Sequence, residues 1–192
     1  MLGADLLLRE LNHRVKNNFQ IIASLMNLKK RTLPPGQRGD IRFLEEHVMA
    51  MAAAYRLIYA TGDMAEVAMG ELVDEILLGL RQIANLPGEC LIVDTAELHA
   101  TIRLDQAVAL GLYLAAVVPR YLDRARTTGA AALVRGRSHA REVTLSVECR
   151  GGATVMLDAL GTRLVGAYVD QLKAASLPGR SAGERRISFA VA

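Results

Sequence analysis

Two stretches of regularly spaced apolar residues, separated by a pair of prolines, constrain the fold of this 192-residue chain more than any other feature. The first stretch has apolar spacings of 3, 4, 4, 3 and 4 and consists of Leu8, Leu11, Val15, Phe19, Ile22 and Met26. The second has spacings of 3, 4, 3, 4 and 3 and consists of Ile41, Leu44, Val48, Met51, Tyr55 and Ile58. Each pattern predicts a long helix with one apolar face. Because Pro34 and Pro35 end the first helix, the two helices are predicted to form an antiparallel hairpin.

One hairpin of this kind cannot bury the apolar faces of both helices. Two copies of the hairpin, packed as a four-helix bundle, would bury them. We therefore expect residues 1–62 to form a dimerisation domain and the protein to be a homodimer.

The pattern changes after residue 62, where short strands alternate with helices. Predicted helices cover Met69–Ala84, Leu104–Arg124 (interrupted by Pro119) and Gly161–Ala174. Predicted strands cover Cys90–Val93, Ala130–Arg135, Val143–Glu148 and Ile187–Val191. This order predicts a second domain over residues 63–192, an α/β sandwich with helices on one face of a sheet.

Composition excludes several classes of protein. With 52% hydrophobic and 22% charged residues, the chain has enough apolar material for a packed core. The longest uncharged apolar run, Ala107–Val118, has 12 residues, whereas a membrane-spanning helix needs roughly 20. Asp5, Arg9 and Glu10 interrupt the N-terminus where a signal peptide would be apolar. The sequence therefore predicts a cytoplasmic protein that neither spans nor binds a membrane.

The positive charge is concentrated at the N-terminus. Residues 1–31 contain six Lys or Arg residues against two acidic ones, while the whole chain has a net charge of +3. This stripe is either an ordinary solvated face or a docking surface for an acidic protein. Nucleic acid is not expected as a partner, because the chain has no tryptophan, 4% aromatic residues and no nucleic-acid-binding motif.

His13 lies on the polar side of the first predicted helix, opposite the apolar residues. Asn17 and Gln20 share its side of the helix, and Lys16 flanks it. No second His or Cys lies one turn away, so a metal site is not expected there. An exposed imidazole that is neutral near pH 7 is instead a candidate nucleophile.

The residues around His13 resemble a known motif. Residues 10–20 read E-L-N-H-R-V-K-N-N-F-Q, which is similar to the phosphoacceptor motif E-L-x-H-R-V-K-N-x-L-Q of the HWE/HisKA_2 class of bacterial sensor histidine kinases. Residues 55–59 resemble the second dimerisation helix of that family, and residues 104–112 resemble the segment leading into its ATP-binding helix. The resemblance implies a dimeric helical hairpin followed by a histidine-kinase ATPase-like (Bergerat-type) α/β sandwich, with His13 as the phosphorylated residue.

The resemblance also implies roles for the neighbours of His13. Arg14, Lys16, Asn17 and Gln20 are candidates for contacts with the phosphoryl group or with a response-regulator receiver domain. Glu10 either orients the imidazole or pairs with Arg14 along the helix. The receiver is expected to bring the Mg²⁺, so the chain itself needs no metal site.

The nucleotide-binding motifs of the family are degenerate in this chain. Residues 115–124 lack both asparagines of the motif N-E-L-V-x-N-A-x-K-H, and Cys149 stands where the family has the aspartate that binds adenine. Residues 160–165 keep few of the glycines of the last nucleotide loop. The sequence therefore predicts a degenerate ATP-binding domain with no bound cofactor. The predicted function is a histidine phosphotransferase that relays phosphoryl groups between receiver aspartates without ATP. The alternatives are an active HWE/HisKA_2-type kinase with an atypical nucleotide site and a non-catalytic receiver-binding adaptor.

Overall fold

A computed structural model describes residues 38–60, 66–152 and 154–191 of the chain. It also describes nine single residues nearer the N-terminus: Val15, Phe19, Ile22, Met26, Lys30, Arg31, Leu33, Pro34 and Gly36. The helices within the continuous ranges are α1 (Arg38–Ala60), α2 (Met69–Ala84), α3 (Leu104–Thr128) and α4 (Ala159–Leu172), with a 3-10 turn at Gly88–Cys90. The strands are β1 (Val67–Ala68), β2 (Leu91–Glu97), β3 (Thr101–Ile102), β4 (Ala132–His139), β5 (Glu142–Cys149), β6 (Ala175–Leu177) and β7 (Arg185–Ala190).

Five strands form one mixed sheet in the order β2-β4-β5-β7-β6. Strand β2 runs parallel to β4, and the other neighbours are antiparallel. Strands β1 and β3 form a separate two-stranded sheet. Helix α2 packs against β2, and α3 packs against β4 and β5. This arrangement confirms the predicted mixture of helices and sheet, and an ion pair between Arg135 and Glu148 links β4 to β5.

Helix α3 is continuous through Pro119, although the sequence analysis predicted an interruption there. A proline inside a helix removes one N–H donor and therefore leaves the carbonyl of Ala115 without its helical partner. The helix continues because fourteen of its residues, Pro119 among them, are buried against the neighbouring elements. Tertiary packing thus outweighs the local preference of proline.

One apolar core joins α1 to the sheet domain. Ala50, Ala53, Ala54 and Ile58 of α1 are all buried in the cluster that also contains α2, α3 and the inner side of the sheet. Where α1 crosses α3, Gly111 lies so close that an added Cβ would be 3.2 Å from the Ala50 carbonyl oxygen. The second helix of the predicted hairpin is therefore also a layer of the α/β domain, and the proposed boundary between residues 62 and 63 stays a prediction.

The sequence placed the longer elements correctly but not all of their ends. Helix α4 begins and ends two residues earlier than predicted, since Asp158 accepts a hydrogen bond from the Gly161 N–H at 2.7 Å and Lys173 takes a left-handed conformation. Strands β1, β3 and β6 were not predicted, because two or three residues are too few to show alternation. In the part of the chain that the structure describes, no helix has the length and apolarity needed to cross a bilayer.

Candidate functional site

The predicted phosphoacceptor site lies outside the described residues. This holds for all six of its predicted members: Glu10, His13, Arg14, Lys16, Asn17 and Gln20. Their roles therefore stay predictions from the sequence.

Single described residues show how the first helical segment pairs with α1. Phe19 is helical, and its ring centroid lies 5.5 Å from that of Tyr55. Further along, the Lys30 Nζ atom lies 2.6 Å from the Glu45 carboxylate. The earlier residue, Phe19, contacts the later part of α1, and the later residue, Lys30, contacts the earlier part. The two segments therefore run antiparallel. This pairing agrees with the hairpin predicted from the two apolar patterns.

A cleft of about 600 Å³ lies between α1, the middle of α3 and the start of α4. We call it the central cleft and define it by Arg42, Glu46, Ala115, Arg120, Asp123 and Asp158. Leu44 and Leu160 stand at its edges and are 49% and 57% exposed. The cleft therefore combines charged groups with an apolar rim.

A charged network on one side of the cleft connects α1 to α3. The Arg42 Nε atom donates to Glu46 at 2.8 Å, and Arg42 Nη1 donates to Asp123 at 3.1 Å. The Arg42 Nη2 atom is buried without a hydrogen-bond partner among the described residues. Burial raises the pKa of Glu46 to about 7, even though the Arg42 cation acts in the opposite direction. Glu46 is therefore a carboxylate that exchanges a proton near neutral pH.

A second ion pair crosses the cleft between α3 and α4. The Arg120 guanidinium contacts Asp158, whose other carboxylate oxygen caps the N-terminus of α4 through Gly161. Asp158 thereby accepts from one of the free N–H groups that begin this helix. The pair occupies the side of the cleft where α3 faces the start of α4.

A smaller cavity of about 320 Å³ lies between α3, α4 and β7. Its lining includes Tyr113 and Tyr121, which are both almost fully buried. The Tyr121 hydroxyl donates to the Gly183 carbonyl oxygen at 2.7 Å. Cys149 at the end of β5 is 2% exposed. Arg185 enters the same cavity from β7.

The other three histidines differ in their burial. His47 is buried in α1, where its Nδ1 atom lies 2.8 Å from the Phe43 carbonyl oxygen and its Nε2 atom has no partner among the described residues. Burial lowers the pKa of His47. His99 and His139 are exposed. The prediction that none of them is catalytic is unchanged.

Residues 10–84 match the HisKA_2 family, which is described as histidine kinase. Over 96% of its length the chain is 26% identical to sensor histidine kinase PdtaS of Mycobacterium tuberculosis. Over 65% of its length it is 28% identical to PdtaS of Mycolicibacterium smegmatis. The N-terminal part of the chain is thus similar to the HisKA_2 histidine kinases.

The histidine kinase domain of the Erythrobacter litoralis EL346 blue-light activated kinase has a similar fold. The TM-score is 0.64 at 21% identity, and the match covers 99% of this chain and 93% of that domain. The chain spans only 38% of the length of the M. tuberculosis PdtaS protein. What the whole of PdtaS does is therefore not transferred to this chain by likeness alone.

The described residues do not fit Mg-ATP held in the manner of a HisKA_2 kinase. Ala115 and Arg120 stand where the family motif has asparagines, so neither of these positions presents an amide oxygen to a metal ion. Cys149 replaces the aspartate, and the Tyr121 ring stands where the motif has alanine. Within the described ranges, no three His, Cys, Asp or Glu side chains are grouped so as to hold a metal ion.

Sequence reasoning missed the two groups of charged residues that the fold assembles. Arg42 and Glu46 are four residues apart on one helix, a spacing that signals an ion pair. Nothing in the sequence connects them to Asp123, 81 residues after Arg42, or places Arg185 beside Tyr113 and Tyr121. These contacts depend on the packing of α1, α3 and β7.

Proposed function

We propose that this chain is the phosphotransfer part of a HisKA_2-type histidine kinase. In this proposal His13 takes up a phosphoryl group and passes it to an aspartate on the receiver domain of a response regulator. The observation that carries the proposal is the motif at residues 10–20, which lies inside the HisKA_2 match. The protein would work in the cytoplasm as a homodimer.

The transfer requires a neutral imidazole. One ring nitrogen of His13 attacks phosphorus, a P–N bond forms, and the P–O bond to the donor breaks with its electron pair leaving on the donor oxygen. The other ring nitrogen keeps its proton. In the second half, an aspartate oxygen of a receiver attacks the phosphohistidine and the P–N electron pair returns to the ring. Catalysis of this kind depends on positioning and on neutralising phosphate charge.

The neighbours of His13 are suited to those two tasks. Arg14 and Lys16 carry positive charge that phosphate oxygens attract, and Asn17 and Gln20 are neutral donors one and two turns after His13. Glu10, one turn before, would orient the imidazole. The Mg²⁺ would be bound by the receiver.

The comparisons favour ATP as the phosphoryl donor, because the relatives named above are sensor histidine kinases. They do not support our prediction from the sequence that the chain is a relay without ATP. The first form of the proposal is therefore a kinase with an atypical nucleotide site.

A relay between receivers is the second candidate, and one observation favours it. Arg120 is paired with Asp158, and Ala115 lies beside them in the central cleft, so these two positions offer the metal ion of a triphosphate no amide oxygen. A chain with this surface would take its phosphoryl group from a phosphorylated receiver.

Labelling with two donors separates the candidates. The purified chain is incubated with Mg²⁺ and γ-labelled ATP, or with receiver domains labelled by acetyl phosphate, and His13→Ala serves as the control in both. Label at His13 from ATP supports the kinase, and label only from receivers supports the relay. Receiver binding without label from either donor would leave only an adaptor and would contradict the proposal.

A further inference from the structure

The smaller cavity has the composition of a binding site for an organic anion. We call it the Arg185 cavity and define it by Tyr113, Tyr121, Val165, Val169, Arg185 and Ile187. Its volume of about 320 Å³ is at the lower end of the range for small-molecule sites, roughly 300 to 1,000 Å³. Valine and isoleucine side chains supply apolar walls, and a few polar groups converge on the space between them.

The charges around the cavity do not balance. Glu184 lines it and is matched by Arg186, whose Nε atom lies 3.9 Å from the carboxylate. The Arg185 side chain hydrogen-bonds the Tyr121 hydroxyl, but it forms no ion pair with any residue that the structure describes, and its Nε atom is buried without a hydrogen-bond partner among them. One positive charge is thus left over at the wall of an apolar space. A partly buried cation without a counter-ion is costly, and an anion placed beside it reduces that cost.

The two tyrosines add neutral hydrogen-bond donors. Burial raises the pKa of Tyr121 to about 12 and raises that of Tyr113 further, so both hydroxyls are protonated at neutral pH. The Tyr121 hydroxyl is already bonded to Gly183. The Tyr113 hydroxyl and the Arg185 guanidinium are therefore two of the polar groups that a ligand would meet, beside Thr154, Ser176 and Glu184 of the lining.

We propose that the Arg185 cavity binds a small monoanion, a carboxylate attached to a compact apolar group. The carboxylate would pair with Arg185, and the apolar group would lie between Val165 and Val169 of α4. One unmatched charge favours one negative charge on the ligand over the several of a nucleotide. This inference does not depend on the phosphotransfer proposed for His13.

Matched probes test the proposal on the full chain. Benzoate combines a carboxylate with a compact ring, and benzamide has the same shape without the charge. Binding of each is measured by calorimetry at low ionic strength to the wild type, to Arg185→Met and to Arg163→Met, which removes an exposed arginine of α4. We expect benzoate to bind the wild type and Arg163→Met alike and to lose at least roughly tenfold in affinity with Arg185→Met. Benzamide is expected to bind weakly and equally to all three.

Two further arms keep the test decisive. Val165→Phe fills the cavity and is expected to abolish benzoate binding without removing Arg185, which covers the case in which Arg185→Met does not fold. Displacement of benzoate by Mg-ADP would instead identify the cavity as a nucleotide site. Equal affinity of benzoate for wild type and Arg185→Met, or no binding at millimolar concentration, would overturn the proposal.

Discussion

Glu46 is an acidic residue whose pKa the fold raises to near neutral pH. It is 4% exposed, and it faces Arg42 on its own helix and Asp123 and Arg120 on α3. Its pKa is raised by burial from an ordinary value of 4.5 to about 7. Between these values the folded chain holds a proton that the unfolded chain has released. Glu46 therefore favours the folded state at low pH, and this contribution is lost as the pH rises through about 7.

We expect Glu46→Gln to remove this dependence. The amide cannot ionise, so the variant should gain stability relative to the wild type as the pH rises from 5 to 8. The gain should be a few kcal/mol at most, since one pKa unit corresponds to about 1.36 kcal/mol. Urea unfolding at several pH values measures it. Glu45→Gln, which affects the neighbouring carboxylate paired with Lys30, is the control and should keep the wild-type slope. An unchanged slope in Glu46→Gln would show that Glu46 is ionised throughout.

At the scale of elements, the crossing of α1 and α3 sets how the hairpin joins the sheet domain. Gly111 permits the close approach, because an added Cβ would lie 3.2 Å from both the Ala50 carbonyl oxygen and the Ile76 Cδ1 atom. Gly166 in α4 is also helical, but an added Cβ there would meet nothing within 4 Å. The two helical glycines therefore differ in how closely other residues approach the position of an added Cβ.

The two alanine substitutions should therefore have different effects on stability. Gly166→Ala should stabilise the protein by roughly 0.5–1 kcal/mol, the gain expected when alanine replaces glycine within a helix. In Gly111→Ala the same gain is offset by overpacking, which costs about 1–3 kcal/mol. We expect no stabilisation, or a loss of up to roughly 2 kcal/mol, in urea unfolding. Equal stabilisation by both substitutions would mean that α1 is not held closely against α3.

The sequence predicts those elements whose signal is local. Helix α2 was placed at the same residues as in the structure, because its buried positions repeat with the helical period and Asn85 and Pro87 follow its end. Strand β5 was placed by its alternating pattern, whereas β4 begins two residues later and ends four residues later than predicted. Neither the parallel pairing of β2 with β4 nor the short strand β6 has such a signal, because both depend on neighbours that are distant in sequence.

The candidate sites also differ in whether the sequence alone predicts them. The identity of His13 as a candidate nucleophile follows from consecutive residues and needs no fold. The Arg185 cavity is formed by α3, α4 and β7, which are far apart in the chain. Local motifs therefore indicate the phosphotransfer chemistry, while sites built by packing become visible only in the structure.

At the scale of the whole molecule, the predicted homodimer would bury an apolar residue that is exposed on the first helix. Ile22 is helical and 41% exposed, although it belongs to the apolar face predicted from the sequence. We expect Ile22→Glu to shift the protein from dimer to monomer in light scattering, with its circular dichroism unchanged, because a charge cannot be buried cheaply at an interface. Phe19, which already packs on Tyr55, is the contrasting site, and Phe19→Glu should destabilise the hairpin itself. A wild type that is monomeric at micromolar concentration would contradict the dimer.

The most direct test of the account is to locate the phosphoryl group. The wild type, His13→Ala, His13→Gln and His139→Ala are exposed to both donors, and phosphohistidine is mapped by mass spectrometry under alkaline conditions that preserve it. His139 is an exposed histidine outside the motif and so controls for nonspecific labelling. The account predicts phosphohistidine at residue 13 in the wild type and in His139→Ala, and none in either His13 variant. Undiminished labelling of His13→Ala would contradict it.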